Sequence, residues 1–197
     1  MKIRNIAVAG LMGLASIVPG KAQKPVQFIA ETGVTGALHS VPLFYGGMNA
    51  AFPKGKNYTD VFAGVGINTN KQASFLGLAV NNYSWTKNIS SWAREIFVAS
   101  DRGLNSTLEL SPIKANVNVG KFNLSLNPAY AIYNDFRNKT IKQGINTILQ
   151  AIYPASPKDK IFIEAKYASE PDKNLFNTRF GKLENNFSYM ISYMRNF

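Results

Sequence analysis

The chain contains no cysteine and one histidine, and only 17% of its 197 residues are charged. Without cysteine there are no disulfides, no thiolate nucleophile and none of the common zinc sites. With one histidine and scattered carboxylates, no cluster of metal ligands forms, and no cofactor is expected. Long hydrophobic runs are also missing: no stretch reaches 18 apolar residues, so no helical membrane span is expected. Acidic residues are scarce as well, 11 against 22 Lys and Arg, and the net charge is +11. The cations are spread along the chain with no aromatic-interleaved basic run, which argues against a nucleic-acid partner. Gly64 and Gly66 give a G-x-G spacing without the third glycine or a following helix, so a dinucleotide loop is excluded too.

What the chain does have is order at its two ends and alternation between them. Lys2 and Arg4 precede an uncharged apolar run, Ile6 to Val18, and Gly20-Lys21-Ala22 places small residues around a cut before Gln23. This pattern predicts a cleavable signal peptide over 1–22 and a single domain over 23–197. From there period two dominates, the signature of strands with two unlike faces. Val61, Ala63, Val65 and Ile67 alternate with Asp60, Gly64, Gly66 and Asn68. Phe122, Leu124, Leu126 and Tyr130 alternate with Asn123, Ser125, Asn127 and Ala129. Ile161, Ile163, Ala165 and Tyr167 alternate with Glu164 and Lys166, and Leu76, Leu78 and Val80 alternate with Gly77, Ala79 and Asn81. Turn-forming segments such as 53–57, 68–71, 101–105 and 120–121 punctuate these runs.

The polar parity consists mostly of Gly, Ala, Ser, Thr and Asn, with sparse charges at Glu31, Glu109, Glu164, Lys166 and Arg179. Small polar residues suit the interior of a narrow barrel, and those charges can pair there while the apolar parity faces lipid. Tyr83, Trp85, Trp92, Tyr133 and Tyr153 fall near expected strand ends, where interfacial aromatics belong. The expected fold is therefore all-β: an antiparallel up-and-down transmembrane β-barrel of 8–10 strands. Strands are expected over 25–37, 40–52, 59–68, 72–83, 91–100, 105–119, 121–134, 159–169 and 185–197. The segment 138–153 fits a helical face or a strand face, and Gly144 favours the strand. Pro42, Pro112 and Pro128 fall inside these strands, where each would remove a ladder hydrogen bond; they require rims, bulges or revised boundaries.

The chain's last residues read Phe-Ser-Tyr-Met-Ile-Ser-Tyr-Met-Arg-Asn-Phe, with Phe187, Tyr189, Ile191, Tyr193 and Phe197 on one parity. This segment resembles the closing strand of bacterial outer-membrane β-barrels, apart from Arg195, which stands where that family carries another apolar residue. The resemblance implies location in the cell outer membrane. It also implies Tyr189, Ile191, Tyr193 and Phe197 as the signal read by the outer-membrane insertion machinery. The expected partners are outer-membrane lipids, including lipopolysaccharide, with cations in turns meeting anionic head groups. Arg195 must then sit near enough to an interface for its guanidinium to reach water or phosphate.

Two further functions compete with a non-enzymatic structural or surface-interaction role. His39, Ser40, Ser100 and Asp101 fall in turns on one side, and a His, a Ser and an acid on one rim resemble the lipid-modifying barrel enzymes, with His39 as base. The alternative is a soluble periplasmic β-barrel that binds an apolar ligand inside.

Overall fold

The computed structural model describes residues 27–37, 41–100, 103–169 and 186–197. Ten strands follow one another: β1 (Gln27–Ala37), β2 (Leu43–Lys54), β3 (Asn57–Asn68), β4 (Ala73–Ser84), β5 (Ile89–Ser100), β6 (Gly103–Val119), β7 (Phe122–Asp135), β8 (Thr140–Pro154), β9 (Asp159–Ala168) and β10 (Phe187–Asn196). Each pairs antiparallel with its neighbour in sequence, and β10 returns to pair with β1, so the sheet closes. The first residue of β1 and the last of β10 share one rim. A 12-residue strand such as β2, tilted as barrel strands are, rises roughly 30 Å, about the thickness of a bilayer's hydrocarbon core.

Alternation sorts the side chains by polarity. Outward residues include Phe28, Phe44, Val65, Ile67, Phe122, Leu126, Ile145, Leu149, Ile163 and Ile191, all more than one-third exposed. Inward residues include Glu31, Asn49, Arg94, Glu109, Asn127, Asn146, Glu164 and Lys166, all buried. The molecule thus has apolar residues outside and charges within, the reverse of a soluble domain. The soluble, apolar-ligand reading is not favoured on this ground.

The strand reading of 138–153 holds: β8 puts Ile141, Ile145, Leu149 and Tyr153 outward, and the count is ten. Were 138–153 a helix, a count of ten would need a strand over 172–182, which lies outside the described residues. Pro42 stands just before β2, at a rim. Pro112 and Pro128 share one device. The β6–β7 register shifts between Leu110 and Ala115, where β6 carries one residue more than the facing stretch of β7. Pro112 lies in this bulge, and Pro128 lies opposite it, in the part of β7 with no ladder partner on β6. A bulge removes the hydrogen bonds that proline cannot make, so 105–119 is one strand and is not split by a turn.

One face assignment is corrected. Leu76, Leu78 and Val80 were expected to face lipid but point into the lumen, opposite Gly64, Phe62 and Asp60 on β3 and Val98, Ile96 and Arg94 on β5. Period two separates two faces but does not say which is inside when both are apolar or small. The neighbours decide it. Phe62 lies inside, over Gly47 and Gly64, where an added Cβ would come within 2.8 and 2.5 Å of its ring. Leu78 completes that apolar quadrant. The interfacial-aromatic expectation divides similarly. Tyr83 and Trp85 are exposed near the terminal rim, and Tyr153 packs on Phe122 at 5.1 Å between ring centres. Trp92 and Tyr133 are instead buried in the lumen, because each finds a hydrogen-bond partner there.

Candidate functional site

The lumen is crossed by a network centred on Arg94 of β5. Its Nε donates to Glu109 Oε2 at 2.7 Å, and Nη1 and Nη2 grip Glu164 at 2.7 and 3.0 Å. Glu109 lies beside it on β6, whereas Glu164 comes from β9 across the barrel, so one guanidinium ties two walls together. Lys166, also on β9, reaches back to Glu109 at 3.5 Å. Asn146 Nδ2 donates to Glu109 Oε1 at 2.7 Å and its Oδ1 accepts from Tyr133. Gln150 Nε2 donates to Glu164 at 2.8 Å, and Lys114 donates to Gln150. The Trp92 ring lies 5.1 Å from the guanidinium, a cation–π contact, while its Nε1 donates to Asn127. Glu109 is fully buried and multiply paired, to Arg94, Lys166 and Asn146.

A second cluster occupies the β1–β3 wall. Glu31 accepts from Tyr45 Oη at 2.9 Å and from Asn49 Nδ2 at 2.6 Å. Gly33 makes room: a Cβ there would stand 2.8 Å from the Tyr45 hydroxyl. Between the clusters lie two cavities, both bordered by Glu31, Leu78, Arg94 and Met190. The smaller, about 110 Å³, lies toward the far rim, and the larger, about 390 Å³, opens toward the rim of Gln27.

Of the expected lumen charges, Glu31, Glu109, Glu164 and Lys166 all face inward, and Arg179 lies outside the described residues. Arg94, the hub, escaped the sequence reading. It adjoins Glu95, one of the two must point outward, and β5 has mixed residues on both faces, so parity left the choice open. Pairing with Glu109 makes Arg94 the inward one and leaves Glu95 outside, opposite Ala79 and Leu108.

Of the catalytic candidates, Ser100 alone is among the described residues. Ser100 ends β5, facing the lumen and buried, while His39, Ser40 and Asp101 lie outside the described residues. Of the proposed assembly residues, Tyr189, Ile191 and Tyr193 face outward along β10 opposite Ala165, Ile163 and Ile161. The Phe197 amide donates to the Phe28 carbonyl, and its side chain is exposed. Arg195 is also outward, at the rim, 3.9 Å from Asp159, whose carboxylate accepts the Tyr193 hydroxyl.

A closed sheet with an apolar exterior and a paired-charge interior defines a transmembrane β-barrel. No family model and no curated protein matches the chain. Among solved structures it is similar to the NanC porin (13% identity over 85% of this chain and 98% of that one, TM-score 0.44). It is also similar to the translocator domain of autotransporter NalP from Neisseria meningitidis (12% identity, 98% of each chain, TM-score 0.47). A third likeness is to the KdgM porin in complex with disordered oligogalacturonate (10% identity, 87% and 98%, TM-score 0.40). Likeness this distant carries no functional information.

Proposed function

We propose that the protein is a bacterial outer-membrane β-barrel with a closed lumen, acting as a structural or surface-interaction element and not as an enzyme or open pore. The observation that carries this reading is the Arg94 bridge, which ties β5 and β6 to β9 across the interior. Paired side chains that cross the lumen narrow the path for solute. In a barrel with an even strand count both ends would lie at the periplasmic rim, which leaves the opposite rim for the exterior. That outer rim is the surface offered to lipopolysaccharide or a partner. β10 and Phe197 serve as the recognition element for the insertion machinery.

Planar-bilayer recording tests the closed lumen: the purified protein is expected to give no steady conductance steps, and regular open-channel steps would refute it. Carbonate extraction and gel migration with and without boiling test the membrane placement; a protein that washes off and migrates identically is not a barrel in the membrane. Substituting His39→Ala and profiling lipid A and phospholipids tests the enzymatic alternative, and the profile is expected to stay unchanged.

A further inference from the structure

The two lumen cavities lie in series, and the same four residues, Glu31, Leu78, Arg94 and Met190, border both. A residue that lines both cavities stands between them, so these four make up the partition. Its members are held in two ways. The Glu31 carboxylate is tied by Tyr45 and Asn49, and the Arg94 guanidinium by Glu109 and Glu164. Leu78 and Met190 offer no such bonds and are held by packing. They come from separate walls. Leu78 stands on β4 between Phe62 of β3 and Ile96 of β5, and Met190 stands on β10 between Thr35 of β1 and Glu164 of β9. Methionine, unbranched and soft, fits an irregular gap of this kind.

The spaces on either side are roomy and partly polar. Asp60, Lys114 and Gln150 line the larger, and Thr35, Lys166 and Ser188 line the smaller. At about 390 and 110 Å³, each exceeds several-fold the roughly 10–15 Å³ that one water needs. Water is therefore held better in the two chambers than at Leu78 and Met190. An apolar constriction between wet chambers stops ions by shedding its own water, even where it is not filled by atoms.

On the closed-lumen reading above, we infer that Leu78 and Met190 form the ion seal of the barrel. The Arg94 bridge narrows the lumen, and the apolar pair keeps the remaining passage dry. The seal depends on polarity and not on bulk, which sets it apart from a plug of packed side chains.

Planar-bilayer recording of the full-length folded protein tests this with Leu78→Asn and Met190→Gln combined. Each replacement is close in size to the residue it replaces, so the partition becomes polar at nearly constant volume. The wild type is expected to stay silent and the double variant to give steady conductance steps. Leu78→Ile with Met190→Leu, apolar at similar volume, is expected to stay silent. Migration with and without boiling checks that each variant folds. Met190→Gln alone, a change at one half-buried side chain, decides the matter if the double variant does not fold: brief openings support the seal and silence overturns it. Steps in the wild type overturn the closed lumen and the seal with it. A silent wild type beside a silent, folded double variant overturns the seal alone. Steps in the Ile and Leu variant also overturn it, because fit and not dryness then closes the lumen.

Discussion

Replacing Arg94 with methionine removes three charge-assisted hydrogen bonds at 2.7–3.0 Å and strands two buried carboxylates. Each such bond contributes about 1.5–3 kcal/mol, but the loss is buffered. Glu109 keeps Asn146 and Lys166, and Glu164 keeps Gln150. Breaking one partner out of a buried pair costs about 3–5 kcal/mol, and the surviving contacts place Arg94→Met near the lower end, at about 3 kcal/mol. Urea unfolding in lipid vesicles, followed through tryptophan fluorescence, measures it, and Trp92 packs on the guanidinium, so it reports locally. The triple variant Arg94→Met, Glu109→Gln, Glu164→Gln separates two causes. If stranded charge dominates, neutralising both acids restores at least half of the loss. If direct attraction dominates, the triple variant stays as weak as the single one. A loss below about 1 kcal/mol in Arg94→Met would refute the view that this network holds the walls together.

Gly64→Ala is expected to destabilise by about 1–3 kcal/mol, because its Cβ would stand 2.6 Å from the Gly46 carbonyl; Phe62→Ala added to it relieves the ring contact but not the backbone one, so the double variant remains destabilised in the same unfolding assay. Arg195→Ala, an exposed pair at 3.9 Å, is expected to change stability by less than about 1 kcal/mol. Because the chain lacks cysteine, single cysteines can carry nitroxide labels without background. A label at Phe75→Cys is expected to collide preferentially with oxygen and one at Leu78→Cys with a water-soluble nickel complex; equal accessibilities would refute the β4 face assignment.

Strand positions were legible because the outward residues of most strands are bulky and the inward ones small and polar. β7 and β9 read this way without ambiguity, and even β8 did once Gly144 and the spacing of Ile145, Leu149 and Tyr153 were weighed. β4 failed for the opposite reason. Leu76, Leu78 and Val80 are apolar yet serve the interior, a choice made by Phe62 on the neighbouring strand, and such cross-strand packing leaves no trace in a strand's own pattern. The site was half legible. Its carboxylates stood out against small residues, whereas Arg94 was masked by the adjoining Glu95. Pro112 and Pro128 were read as separate difficulties. Only the register shows that they answer one another across a single bulge.

The Arg94 network also constrains how the barrel can be built. Glu109 draws its partners from β5, β8 and β9, separated by as many as 57 residues along the chain. A β5–β6 hairpin entering a membrane alone would satisfy one carboxylate with one guanidinium and leave the rest of both groups without donors or acceptors. Only when β9 arrives does every charge in the cluster have a partner. The interior therefore disfavours partial insertion: a barrel lacking its last strands has an unneutralised seam, and completion of the cylinder and completion of the charge pairing become one event.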